Sequence, residues 1–236
     1  MAQENTQVPT QKPAEEKMAQ KPPVASATEK PSAKAAGIKL FGKYSYDDVV
    51  VSDESLARYV SLRPLKLPHT FARHANKQFA KSHVNIVERL ANKLMRGGTG
   101  EKLAGKIIRT HGGLQGKKMK ALKSIEAAFE IVHAKTKLNP INLLIKALEN
   151  SAPREDITRV RFGGIAYQVA VDVSAQRRLD LGLRNLSLAA IMGSFNKKAT
   201  LAEALANEIV LAANGDATSY SVKTKNEVER MARSAR

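Results

Sequence analysis

Ile157-Thr-Arg-Val-Arg-Phe-Gly-Gly-Ile-Ala-Tyr-Gln-Val-Ala-Val-Asp-Val173 alternates large apolar residues with polar or small ones on both sides of a Gly-Gly pair. Alternation with period two, broken by two residues able to take positive φ, is the pattern of a β-hairpin. Parity puts Arg159, Arg161 and Gln168 on one face and Val160, Phe162, Tyr167 and Val169 on the other, whether the turn has two residues or four. A lone two-stranded hairpin is marginal in water. It therefore either packs on the rest of the chain, with solvated arginines, or is held by a partner that meets its basic face.

On either side the period changes to that of helices. Upstream, Asn139-Pro140 is a start signal, with Asn as N-cap and Pro in the first turn, and Ile141, Leu144, Ile145 and Leu148 form an apolar face behind it. Leu122, Ile125, Phe129 and Val132 make a stripe over residues 117–135, and Val84, Val87, Ala91 and Leu94 make another over 83–96, with Gly97 as its expected C-cap. Between these two lies a Gly-rich basic loop, 97–116. Downstream, a helix after Ser174 carries Leu179, Leu183, Leu186 and Ala190. Thr200 and Glu203 form a capping box for a helix with Leu201, Leu205, Ile209 and Ala212, closed by Gly215. The last helix runs from about Ser221, with Val222, Val228 and Met231 as its sparse apolar side. The expected fold is all-α, a helical bundle with one β-hairpin at about 157–173.

Residues 1–37 hold almost no large apolar side chains and are read as a disordered tail, or as an arm reaching toward a polyanion. Residues 38–71 are read as an extended connecting region. Within it Tyr44 to Val51 is a candidate edge strand, and Arg63-Pro-Leu-Lys-Leu-Pro-His69 is an extended loop because each proline disfavours helix before it. Residues 72–236 form the helical domain.

The chain has 39 Lys and Arg against 22 Asp and Glu, a formal charge of +17. Such an excess attracts polyanions, nucleic acid first and an anionic membrane surface second. The cations are spread over the whole chain, which disfavours the membrane. No stretch is apolar for long enough to span a bilayer, and the N-terminus has no apolar signal core, so the cytoplasm is the expected location. There are no cysteines and no tryptophans, and aromatics make up 5%. Few base-stacking platforms and many cations point to reading of phosphates and folded RNA shape.

The cations fall in clusters: Arg63, Lys66, Arg73 and His74, with His69 beside them; Lys117, Lys118 and Lys120; Arg177, Arg178 and Arg184; Lys197 and Lys198; and Lys223, Lys225, Arg230, Arg233 and Arg236. Catalytic readings find little support. Gly100-Glu-Lys-Leu-Ala-Gly105-Lys106 has the spacing of a phosphate-binding loop, but Ile107 stands where a magnesium-binding hydroxyl is needed. His69, His74, His83, His111 and His133 show no metal-ligand spacing, and His133 reads as a helix-end residue. Glu155-Asp156 reads as an exposed turn pair. No cofactor and no acid–base machinery are expected. An RNA-modifying enzyme or its guide subunit, and a general nucleoid or chromatin binder, remain as rivals, separable by target preference.

Three runs carry a family resemblance: Asn139-Pro-Ile-Asn-Leu-Leu-Ile-Lys-Ala-Leu-Glu-Asn-Ser-Ala-Pro-Arg154, Arg161-Phe-Gly-Gly-Ile-Ala-Tyr-Gln-Val169 and Asp172-Val-Ser-Ala-Gln-Arg-Arg178. With Gly116-Lys-Lys118 and the ending Val222 to Ala232, they resemble the small-subunit ribosomal protein seven family over roughly residues 69–236. The 64–74 lead-in and the 97–114 insertion look like its archaeal and eukaryotic branch. The resemblance implies a helical body with a protruding hairpin and primary binding to the 3′ major (head) domain of small-subunit rRNA. It implies that the hairpin lies near exit-site tRNA and the mRNA exit path, with small-subunit proteins nine and eleven as neighbours. Carried over by position, Lys117, Lys118, Arg154, Arg159, Arg161, Arg177 and Arg178 match basic RNA-facing positions, and Gly163, Gly164, Tyr167 and Gln168 match the hairpin tip. Ala170 departs from a proline common in the family. The sequence ends at Arg236, so contacts of the bacterial C-terminal arm are not carried over.

Overall fold

The computed structural model describes residues 37–96, 102–103, 106–107 and 113–236. The tail reading, the Gly97 cap, His111 and most of the Gly-rich loop with its phosphate-loop spacing lie outside the described residues. The helices are α1 Glu54–Ala57, α2 Ile86–Leu94, α3 Lys118–Thr136, α4 Pro140–Ser151, α5 Ala175–Ser194, α6 Leu201–Asn214 and α7 Tyr220–Ser234. Two antiparallel ladders join them: β1 Lys102–Leu103 with β2 Lys106–Ile107, and β3 Glu155–Phe162 with β4 Ile165–Asp172. The body is thus helical and carries one long hairpin.

Capping chemistry sets the helix starts. Asn139 accepts the Ile141 N–H at 3.1 Å with Pro140 in the first turn. The capping box of α6 is complete, since Thr200 Oγ1 accepts the Glu203 N–H at 3.3 Å and Glu203 Oε2 accepts the Thr200 N–H at 3.1 Å. Each such cap is worth about 1 kcal/mol. Helix α2 starts at Ile86, three residues after the expected point, because Asn85 caps it through the Val87 N–H at 2.9 Å. The residues before it, Ala80–His83, form a 3-10 turn.

Helix α6 lies at the centre, packed on α3, α4 and α5. Its Leu205, Ala206, Ile209 and Ala212 are buried, as are the expected stripes of α3, α4 and α5. Each large side chain so buried contributes roughly 2 kcal/mol. Small residues let the helices close up. A Cβ at Gly182 of α5 would lie 3.2 Å from Ser151 Oγ and 3.4 Å from the Leu148 carbonyl of α4.

Four details depart from the sequence reading. Tyr44 to Val51 forms no strand. Tyr44 and Tyr46 are buried, but the Ser45 and Asp48 carbonyls accept from the Asn139 and Asn142 side chains at 2.8 and 2.9 Å, which occupies the groups a ladder would need. The 38–71 region is not merely connecting, because it supplies Leu40, Tyr44, Tyr46 and Leu56 to the core. Met231 is exposed and Ala232 is buried in its place on α7. Glu155 and Asp156 are half-buried residues that open β3, not an exposed turn.

Gly182→Val should lower stability by about 2 kcal/mol, through overpacking against Ser151 and the Leu148 carbonyl. Urea denaturation checks this; an unchanged midpoint would show that α4 and α5 are not in tight contact there.

Candidate nucleic-acid interface

The hairpin pairs Arg159 with Gln168, Val160 with Tyr167, Arg161 with Ala166 and Phe162 with Ile165. The turn is therefore the two glycines alone, Gly163 at φ 57° and Gly164 at φ 84°. Two consecutive left-handed residues make the turn whose twist matches the strands, and glycine takes that conformation without a Cβ clash. The register fulfils the expected sorting. Arg159, Arg161 and Gln168 share one face. Val160, Phe162, Ile165, Tyr167, Val169 and Val171 form the other, and all six are exposed, Phe162 at 79%.

Among the described residues, only the foot of the hairpin is tied down. Helix α7 packs beside it, and Glu229 accepts the Arg154 N–H at 3.0 Å. Asp156 holds Arg177 at 3.4 Å, and Glu155 pairs with Arg236. The candidates Arg154, Arg159, Arg161 and Arg177 are thereby gathered on one element and its foot. Lys223 and Arg230 lie exposed on the helix beside it.

The other candidates divide into two kinds. Lys117, Lys120, Arg184, Lys197 and Lys198 are exposed. Lys118 and Arg178 are turned inward. Lys118 pairs with Glu88, a fully buried carboxylate on α2 that also accepts the Thr70 N–H at 2.8 Å and the Thr70 hydroxyl at 2.7 Å. Arg178 is buried and donates to Asp53 at 2.8 Å and to the Ser55 hydroxyl at 2.5 Å. A third inward cluster was not anticipated. Asp180 of α5 faces Lys81 at 2.5 Å, Arg89 at 3.2 Å and Lys93 at 3.7 Å. Its signal was weak, because the three cations are separated from Asp180 by nearly a hundred positions. His133 serves its helix end, its Nδ1 donating to the Leu138 carbonyl at 3.1 Å, with Tyr44 edge-on to the ring.

Burial pushes the Glu88 carboxyl up, but the bonds from Lys118 and Thr70 outweigh it and hold the group below its ordinary value of 4.5. Asp180 behaves alike: burial raises it, and Lys81, Lys93 and Arg89 more than reverse this. At Asp53 burial is outweighed by Ser55 and Arg178. These carboxyls bind protons more weakly folded than unfolded. Their stability is present in full above the ordinary carboxylate values and is lost as pH falls through the lowered ones.

The candidates Arg63, Lys66, His69, Arg73 and His74 lie on one irregular segment, residues 63–83, which holds five Lys and Arg and no Asp or Glu. Arg63, Lys66 and Arg73 are exposed, while His69 and His74 are half-buried. The sequence reading overlooked Phe71, Lys77 and Phe79 here, all exposed. Among the described residues no helix is long and apolar enough to cross a membrane.

Lys118→Ala should destabilise the fold by roughly 3 kcal/mol by leaving Glu88 buried without its cation, while Lys117→Ala changes stability little. Thermal melts of the two variants decide it, and equal melting temperatures would refute the inward pair. Replacing Glu88 by Gln should cost stability at neutral pH, and the gap to the unmodified chain should narrow as pH falls below the ordinary carboxylate value and through the lowered one. A gap independent of pH in urea titrations would show that the carboxylate charge is not what matters.

The model of the family described as ribosomal protein S7p/S5e matches residues 56–236. The small ribosomal subunit protein uS7 of Methanothermobacter thermautotrophicus is 47% identical over 196 residues, covering 83% of this chain and 98% of the relative. That of Methanosphaera stadtmanae is 46% identical over 197 residues, covering 84% and 98%. A helical body, a long two-stranded hairpin and these matches agree, and the chain belongs to the ribosomal protein S7p/S5e family, a structural component of the small ribosomal subunit.

Proposed function

We propose that this chain is a primary rRNA-binding protein of the small subunit that organises the 3′ major (head) domain. Its hairpin lies near exit-site tRNA and the mRNA exit path, and small-subunit proteins such as nine and eleven are its neighbours. It acts in the cytoplasmic ribosome, without catalysis and without a cofactor. The observation that carries this reading is the hairpin, exposed on both faces from Thr158 to Val169 and joined to the body at its foot. An exposed ladder with two arginines on one side and six apolar residues on the other is completed by a partner.

In this reading the exposed cations neutralise phosphates, which positions the RNA and does not by itself specify sequence. These are Arg63, Lys66, Arg73, Lys117, Lys120, Arg154, Arg159, Arg161, Arg177, Arg184, Lys197, Lys198, Lys223 and Arg230. Gly163, Gly164, Tyr167 and Gln168 shape and line the tip that reaches the RNA. His69 and His74 sit within the same basic surface. Lys118 and Arg178 contribute by fixing the starts of α3 and α5, from which Lys117 and Arg177 point outward.

Filter binding at near-physiological salt tests the proposal, comparing a transcript of the rRNA head domain with unrelated folded RNA and duplex DNA. The transcript should win by a large factor. Arg159→Ala with Arg161→Ala should weaken binding and reduce the slope of log K against log salt by up to about 2, with no change in melting temperature. Equal binding to all three nucleic acids would instead mark a general polyanion binder.

A further inference from the structure

The segment between α1 and α2 holds the most exposed aromatic side chains outside the hairpin. Phe71 is 75% exposed and Phe79 is 68% exposed. Both have left-handed backbones, at φ 51° and 59°, as does Ala72 at φ 59°. For a bulky L-residue that conformation is costly and persists only where the surroundings impose it.

The surroundings of Phe71 do so. The preceding residue, Thr70, is clamped by its N–H and its hydroxyl to the buried Glu88. Because the Thr70 hydroxyl proton goes to Glu88, the contact with His74 Nδ1 at 3.3 Å requires that nitrogen to donate. The Phe71 N–H donates to His69 Nδ1 at 3.0 Å, and the two rings lie with centroids 4.1 Å apart. Phe71 is therefore held outward, one ring backed by another, on an anchored backbone. Phe79 stands at the start of the next 3-10 turn, Ala80–His83, which packs on the turn Arg73–Asn76 that follows Phe71.

What covers these rings is indicated by charge. Among the described residues Arg63, Lys66, Arg73 and Lys77 have no carboxylate within ion-pair distance. An apolar protein surface would not neutralise them. An RNA strand offers phosphates to the cations and flat bases to the rings, the combination that single-stranded sites use.

We propose that Phe71, backed by His69, and Phe79 are stacking platforms for unpaired bases of the rRNA, flanked by Arg73 and Lys77 on the phosphates. This rests on the rRNA-binding reading and names a recognition mode within it, one that the low aromatic content disfavoured.

The chain has no tryptophan, so Phe71→Trp and Phe79→Trp each install a single reporter. On titration with the head-domain transcript the indole emission should be quenched, because a stacked base quenches it and a nearby phosphate does not. Phe71→Ala and Phe79→Ala should each weaken binding about tenfold with an unchanged salt slope, whereas Lys77→Ala should reduce the slope by about 1. Melting temperatures should stay level, since both rings are exposed. Tight, selective binding with no quenching and no loss in the alanine variants would overturn the platforms and leave the rRNA reading intact. Alanine variants that bind RNA normally but fail to join other small-subunit proteins would overturn them in favour of a protein contact. No selectivity in the unmodified chain would remove the underlying reading itself.

Discussion

A fully buried carboxylate, Glu88, holds together three parts of the chain that are distant in sequence: Thr70 in the basic segment, α2 where Glu88 itself sits, and Lys118 at the start of α3. Burying a charge costs several kcal/mol unless it is paired and hydrogen-bonded, and here three donors converge on one oxygen. A chain of charge +17 also has to limit repulsion among its own cations. Three carboxylates of its body are used for this internally. Glu88 takes Lys118, Asp53 takes Arg178, and Asp180 takes Lys81, Arg89 and Lys93. Even a carboxylate without a cation, Glu208, is used inward, accepting from Ser219 and Ser221 at the start of α7. Among the described residues, Arg159 and Arg161 of the hairpin and Arg63, Lys66, Arg73 and Lys77 have no carboxylate within ion-pair distance.

That division passes between adjacent residues. Lys117 is exposed and Lys118 is bound to Glu88; Arg177 is exposed and Arg178 is bound to Asp53. Successive helical residues point about 100° apart, so a basic pair at a helix start naturally sends one cation in and one out. The pairs themselves were visible in the sequence, but the assignment within each pair was not. It depends on carboxylates 30 and 125 positions away. Local signals were the legible ones: Asn139-Pro140, the Thr200–Glu203 box and the hairpin register all follow from chemistry within a few residues. Tyr44 to Val51 misled for the same reason as the pairs, since its backbone is taken by Asn139 and Asn142 nearly a hundred positions on. The exposure of Phe71 and Phe79 was illegible too, because a phenylalanine in an irregular segment carries no period to say which way it faces.

The hairpin and the 63–83 segment share a design. The 63–83 segment is anchored by half-buried bonds to Glu88 and the hairpin by exposed polar bonds at its foot, and each then presents apolar side chains and cations together. A monomer seldom leaves such surface uncovered. The hydrophobic core around α6 takes no side chain from either element. Exposed positions such as Arg159, Arg161, Phe71 and Phe79 therefore contribute no side chain to that core. A polyanion with flat bases meets both demands of the 63–83 surface at once. On the hairpin the arginine face and the apolar face look in opposite directions, so no single strand of RNA can satisfy both. The two faces thus offer different chemistry to their surroundings, cations on one and apolar side chains on the other.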